Sequence, residues 1–372
     1  MPELDGLRGT AILFVLLFHY ITQQGPTAPG TLAHDLQRAV IMGWSGVDLF
    51  FVLSGFLIGG ILMDARSSGN YFKAFYARRF FRIIPIYYFW ITVYVAMVVV
   101  AGAKIYALSN SGIRPPLDLA VFAHYLFLQN LGFHTFGGIA GAWFGHLWSL
   151  AVEEQFYLLA PLVIRLTSPR KLPWLLGVVI VGASVIRSML LFGVHISPHS
   201  VMALMPCRAD ALALGMLAAV LWRNAEVRAS LITNITKLYG LLGILAAGIG
   251  VLWLKAPQSG TRGMQTVGYT WLGLFYALLL LLSLSGSGGP IAQCMRIGWL
   301  REIGKVSYCI YIIHIVVNVV CHALLLHSSP KITTVKGATV TVLAAFLTYG
   351  IAKCSWIMLE NPLLRRGHSF KY

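Results

Sequence analysis

The chain has 372 residues, with 28 Lys or Arg against 12 Asp or Glu, a formal charge of +16 at pH 7. Hydrophobic residues make up 58% and charged residues only 11%, against about 25% charged in a typical soluble protein. There is too little charge to clothe a water-soluble globule and too much apolar content for disorder, and the cations fall in short clusters between apolar runs, a pattern of membrane topology and not of nucleic-acid binding.

Apolar segments approaching 20 residues read as membrane spans. The chain opens with Glu3 and Asp5 where a secretory leader carries bases, so no cleaved leader is expected. The first segment, 7–23, holds Arg8 and His19. Eleven helical residues make about three turns and ~16 Å, so the two share a face. Arg8 lies near the mouth and His19 past the midplane. An ionisable group in such a run is costly and normally faces the bundle interior. The plain alternative is a histidine satisfied by a hydrogen bond.

The segment 44–63 carries Asp48 and the pair Gly55 and Gly59, a small-residue spacing that suits close helix packing. The loop 64–82 holds Arg66, Lys73, Arg78, Arg79 and Arg82. Arg78 and Arg82 share a helix face. They read either as a positive-inside anchor or as a guanidinium clamp for phosphate. After 83–101 comes 117–133, which is short and contains His124, Gln129 and Asn130.

The segment 146–166 opens His146-Leu147-Trp148-Ser149 and continues to Glu153, Glu154 and Tyr157. Ser149, Glu153 and Tyr157 are spaced i, i+4, i+8 and form one polar stripe. The alternative to a functional carboxylate here is a packing contact with Arg187 or Arg208. Arg187 lies in 172–194, and Arg208 and Asp210 in 201–222. At i, i+2 the last two do not face each other, so each needs a partner on another helix. The segments 238–254, 267–284, 306–326 (with His314) and 338–359 complete eleven.

The Lys/Arg loops fix an expected orientation. Loops 64–82, 165–171, 223–237 and 296–305 and the tail read as cytoplasmic; 24–42, with Arg38 alone, and 193–200 read as external. Between 64–82 and 165–171 an even number of crossings must lie, yet three segments fall there. The weakest, 117–133, is therefore expected to be a half-helix or re-entrant element, with the Gly-rich run from Gly132 to Gly145 lining a cavity. The expectation is an all-α polytopic bundle of ten spanning helices plus that element, one domain over 1–372, with both termini cytoplasmic. The five cysteines, Cys207, Cys294, Cys309, Cys321 and Cys354, form no C-x-x-C and read as apolar packers, with no metal site. Nucleotide-hydrolysis, nicotinamide and nucleophile-elbow motifs are absent from the sequence.

Several ordered motifs resemble the membrane-bound acyltransferase family 3. They are Leu4-Asp5-Gly6-Leu7-Arg8-Gly9 with His19, Gly46-Val47-Asp48 through Ser54-Gly55-Phe56, and Arg78-Arg79-x2-Arg82-Ile83-x-Pro85. Further along come Trp148-Ser149-Leu150-x2-Glu153-Glu154-Gln155-Phe156-Tyr157, Arg208-x-Asp210-Ala211-Leu212-x2-Gly215, Ser307-Tyr308-x2-Tyr311-x2-His314 and Glu360-Asn361-Pro362. The resemblance implies an O-acyltransferase of a bacterial inner membrane. Its donor is cytoplasmic acyl-CoA, often acetyl-CoA, with no permanently bound cofactor. Its acceptor is a hydroxyl of a glycan, lipid-linked sugar or secondary metabolite. It implies that His19 and Arg8 are essential, and it extends to Arg78, Arg79, Arg82, Ser149 and Glu153. Some members carry a C-terminal SGNH-type domain that this sequence lacks, and Glu360-Asn361-Pro362 stands where Glu-Arg-Pro is frequent.

On this basis His19, Glu153 and Asp48 are the expected catalytic residues, Arg8, Arg78, Arg79 and Arg82 the donor-binding ones, and Ser149, Trp148, Tyr157, Arg208 and Asp210 the substrate-binding ones. His19 acts as general base or as acyl-histidine; the sequence leaves both. A membrane transporter or flippase is the rival, because intramembrane charges also line substrate pathways.

Overall fold

The computed structural model describes residues 1–22, 25, 27–108, 119–131, 144–286 and 288–372. Hydrocarbon offers no hydrogen bonds to backbone, so a spanning segment must satisfy its own N–H and C=O groups, which the α-helix does. Among the described residues ten helices are long and apolar enough to cross a membrane. Their regular parts are α1 (Pro2–Leu17), α2 (Gly46–Asp64), α3 (Tyr71–Leu108), α4 (Trp148–Leu166), α5 (Leu172–Ser188), α6 (Ala209–Arg223), α7 (Ile235–Lys255), α8 (Tyr269–Ser285), α9 (Ser307–Leu326) and α10 (Val335–Ser355). Apolar side chains such as Val178, Val181, Ile244 and Leu254 face outward from α5 and α7, as they must where the solvent is lipid.

In the weak segment the described residues hold a helix from Leu119 to Tyr125, about 10 Å long. The helix ends in a Schellman motif: Leu128 N–H bonds Ala123 O at 2.9 Å and Phe127 N–H bonds His124 O at 3.3 Å. The motif puts Phe127 at φ 53°, a left-handed conformation that favours glycine. Stacking on Tyr87, centroid to centroid 4.5 Å, holds the ring there. Residues 132–143 of the Gly-rich run lie outside the described residues.

The chain divides into two compact units. The first comprises Met1–Leu13, Trp44–Ser68 and Ser149–Lys305. Its most extensive contact joins α2 to α6. A Cβ on Gly55 would stand 2.0 Å from Leu212 O, and one on Gly215 2.1 Å from Val52 O. Glycine on both helices lets the backbones touch, as the spacing of Gly55 and Gly59 suggests. The start of α1 is seated the same way: Gly6 abuts Met295 O, Gly9 abuts Leu300 O, and Gly304 abuts Asp5 O. Buried Glu3 accepts from Arg296 at 2.6 Å.

The second unit comprises Phe14–Gly43, Gly69–Trp148 and Val306–Tyr372. It contains the end of α1, then α3, the short helix, α9 and α10. Polar side chains tie these helices across their packing faces. Tyr94 donates to Ile312 O at 3.1 Å, Tyr88 to Tyr125 O at 2.6 Å and Gln129 to Leu147 O at 2.9 Å. Each removes a buried polar atom from hydrocarbon at little net cost because it is paired.

Candidate active site

Three imidazoles meet in the second unit. His19 follows the last regular turn of α1, where the helix opens into a π-turn, Phe18–Thr22. Single π-turns inside helices recur at functional positions. His146 lies in a 3-10 turn, Gly145–Leu147, that leads into α4, and His314 lies in the middle of α9. Ring centroids stand 4.9 Å apart for His19 and His314, 4.9 Å for His146 and His314, and 6.1 Å for His19 and His146. His314 is fully buried, His146 nearly so, and His19 is half-buried, the most accessible of the three.

Hydrogen bonds set their orientation. His19 Nδ1 lies 2.9 Å from Val15 O and 3.2 Å from His314 Nε2. His314 Nδ1 lies 2.8 Å from Tyr311 O and 3.1 Å from Ile310 O. His146 Nε2 lies 2.8 Å from the same Tyr311 O, and the Tyr311 hydroxyl donates back to His146 O at 2.8 Å. From the π-turn, Tyr20 donates to His314 O at 2.9 Å and its hydroxyl meets Thr348 Oγ1 of α10 at 2.9 Å. Among the described residues no group of three His, Cys, Asp or Glu could hold a metal ion. Within the cluster the His19 and His314 rings are hydrogen-bonded to each other, and the His314 and His146 rings meet at the Tyr311 carbonyl.

Arg78, Arg79 and Arg82 sit half-buried along the first turns of α3. Arg78 Nε donates to Phe370 O at 2.8 Å, and its guanidinium lies 4.6 Å from the centre of the Tyr372 ring. Burial raises the Tyr372 hydroxyl above its ordinary pKa, while Arg78 and Arg79 pull it down. Arg79 lies 6.0 Å from the centre of the Phe75 ring. Arg82 is near enough to the buried Glu360 for charge attraction. Trp148 is buried at the start of α4.

The first unit holds the other expected residues. Arg8 pairs loosely with Asp5 at 3.6 Å, and both are partly exposed. Half-buried Glu153 accepts from Ser54 at 2.6 Å and from Tyr157 at 3.4 Å, and the Ser54 and Tyr157 hydroxyls are 3.1 Å apart. The stripe of α4 therefore finds its partner on α2, and Ser149 is buried one turn before Glu153. Asp48 pairs with Arg208, whose guanidinium lies 3.7 Å from the centre of the Tyr269 ring. Asp210 pairs with Arg187 at 2.8 Å and also accepts from Thr270 at 2.6 Å. Arg187 further donates to Gln265 O at 2.6 Å, to Cys207 O and to Ser184 at 2.9 Å. Arg208 and Asp210 thus find the separate partners that their spacing demands. These are Asp48 and Arg187.

Reasoning from sequence singled out His19 but assigned no role in the site to His146, His314 or Tyr311. A signal existed for His314, an ionisable group deep in the apolar run 306–326, as His19 is in its own run. For His146 the signal was weak, because it lies at the edge of its segment.

Among curated proteins, the chain is 26% identical over 378 aligned residues to the O-acetyltransferase OatA of Staphylococcus aureus (strain NCTC 8325 / PS 47), and equally to OatA of strain COL. It is 25% identical over the same length to SAS0844 of Staphylococcus aureus (strain MSSA476), named as a candidate O-acetyltransferase. Each alignment covers 99% of this chain and 58% of the relative, so the chain spans about three-fifths of the length of the curated relatives it matches. No solved structure gives a significant match. Residues 1–352 match the family model described as an acyltransferase domain, and the chain belongs to that acyltransferase family.

Proposed function

We propose that the chain, taken as one domain over 1–372, is a membrane O-acyltransferase. It moves an acyl group, acetyl in the first instance, from acyl-CoA to a hydroxyl of a glycan, lipid-linked sugar or secondary metabolite. The observation that carries this reading is His19: a half-buried imidazole hydrogen-bonded to His314 and close to His146, within the spanning helices of an acyltransferase-family chain. The names of the relatives, O-acetyltransferases, support the acyl group and the oxygen acceptor.

In this mechanism the acceptor oxygen attacks the thioester carbon while His19 takes its proton. The C–O bond forms, the C–S bond breaks, and the departing thiolate takes the proton, leaving an ester and free CoA. General-base catalysis of this kind contributes about 10²–10⁴-fold. Arg78, Arg79 and Arg82 hold the phosphates of the donor, since guanidinium matches phosphate in both charge and geometry. Arg8, carried by the same helix as His19, meets the diphosphate or the pantetheine arm. Glu153, with Ser149, Trp148 and Tyr157, receives the acceptor. Asp48, expected to be catalytic, and Arg208 and Asp210, expected to bind substrate, are engaged in ion pairs, and in this reading they hold the frame. The Lys/Arg-rich loops support a donor entrance and both termini on the cytoplasmic side, and the membrane proposed is a bacterial inner membrane.

The test is acetyl transfer by purified protein in lipid vesicles, supplied with radiolabelled acetyl-CoA and membrane lipid and glycan extracts. Label in a base-labile ester, lost on replacement of His19, is the expected result. Uptake of a solute with no transfer of label would overturn the reading in favour of transport.

A further inference from the structure

We infer that His314 is a positioning residue for the reaction: it holds His19 as the Nδ1–H tautomer and so makes Nε2 the reacting nitrogen. The inference rests on the reading of His19 as the reacting group. It starts from the far end of the row, where the proton positions are fixed by backbone.

A carbonyl oxygen can only accept. His146 Nε2, 2.8 Å from Tyr311 O, therefore carries a proton. His314 Nδ1 faces two carbonyls, Tyr311 O at 2.8 Å and Ile310 O at 3.1 Å, and carries one too. A neutral ring holds a single N–H, so His314 Nε2 is bare and accepts. The group it faces, at 3.2 Å, is His19 Nδ1. That nitrogen also lies 2.9 Å from Val15 O. A bare Nδ1 would set its lone pair against two other lone pairs in a buried site. A protonated Nδ1 makes a three-centre bond to both. The proton is therefore on Nδ1, and the basic lone pair of His19 is on Nε2.

Both the brace and its stiffness come from neighbouring helical turns. Tyr311 is one turn before His314, so its carbonyl collects the N–H groups of both His314 and His146 while its hydroxyl returns a bond to His146 O. Tyr20, next to His19 in the π-turn, clamps His314 O. The ring that must move a proton is thus held on one side by α9 and on the other by its own helix. When Nε2 gains the acceptor's proton, the imidazolium charge is shared through Nδ1–H with the neutral His314 ring and the Val15 carbonyl. Two adjacent imidazolium ions would repel each other in a medium that solvates neither, so His314 stays neutral and acts only through His19.

Two measurements test this on the full chain in lipid nanodiscs. In ¹⁵N-histidine-labelled protein, the His19 signals, identified by their loss in His19→Asn, should show a protonated Nδ1 and a bare Nε2. A protonated Nε2 on neutral His19 overturns the inference. For acetyl transfer, His314→Leu should lower kcat about 10²-fold with the KM for acetyl-CoA unchanged. His314→Gln, which keeps an acceptor at the ε position, should recover most of that rate and the wild-type His19 tautomer. Full activity in His314→Leu, or equal losses in the Leu and Gln variants, overturns the inference. If wild-type protein transfers no acetyl group, the acyltransferase reading fails on its own, and the ¹⁵N pattern alone decides the tautomer. If His314→Leu does not fold, the ¹⁵N pattern of wild-type and His314→Gln protein decides.

Discussion

His314 Nε2 stands 3.2 Å from His19 Nδ1, although 295 positions separate the two residues in sequence. The contact pins the π-turn at the end of α1 to the middle of α9, within one compact unit. It joins two groups that would each be costly in hydrocarbon if left alone. Of the two rings, His19 is half-buried and His314 fully buried.

Replacing His19 by Ala is expected to cut acyl transfer by about 10²–10⁴-fold, the range of a lost general base. The protein should still insert, because Tyr20 keeps its bonds to His314 O and Thr348 without the imidazole. Radiolabelled acetyl transfer beside a thermal unfolding scan separates the two effects. Activity that survives in a folded His19→Ala protein removes this residue from the mechanism.

The double change Arg78→Ala and Arg79→Ala is expected to raise the KM for acetyl-CoA by about a hundredfold or more, with kcat little changed. Each charged hydrogen bond to phosphate contributes about 1.5–3 kcal/mol, and 1.4 kcal/mol is a factor of ten. Lys73→Ala, an exposed neighbour on the same helix, serves as control and should leave KM alone. An unchanged KM in the double variant would make the arginines topology anchors.

Arg187→Leu is expected to destabilise the fold by about 3–5 kcal/mol, because it strands the Asp210 carboxylate in a dry interior. Asp210 would keep only Thr270 and the Ala211 N–H, at 2.6 and 3.0 Å. The double variant with Asp210→Leu should regain much of the loss, since no buried charge is left unpaired. Unfolding midpoints of the purified variants in detergent check both. A single variant as stable as wild type would show that the pair is not what holds α5 to α6.

Gly55→Ala is expected to cost about 1–3 kcal/mol by overpacking, since the new Cβ would lie 2.0 Å from the Leu212 carbonyl oxygen. Gly177→Ala, on α5, meets nothing within 4 Å. It should be neutral or stabilising by about 0.5–1 kcal/mol, the helical advantage of Ala over Gly. The same unfolding assay compares them, and equal effects at the two sites would contradict the close α2–α6 contact.

The sequence by itself determined the ten spans, which follow from local composition measured against a bilayer of fixed thickness. The glycine contact at Gly55 and the need of Arg208 and Asp210 for separate partners were legible too, because helical spacing settles which neighbours can touch. Only the tertiary structure decided which partner each charge takes: Asp48 for Arg208, Arg187 for Asp210, and Ser54 and Tyr157 for Glu153. Only the tertiary structure brought His146 and His314 to His19. Periodicity along one helix says which face a side chain is on, but it carries no distance to a residue hundreds of positions away. That distance is set by how the helices pack, and on it rests the pairing of these buried charges.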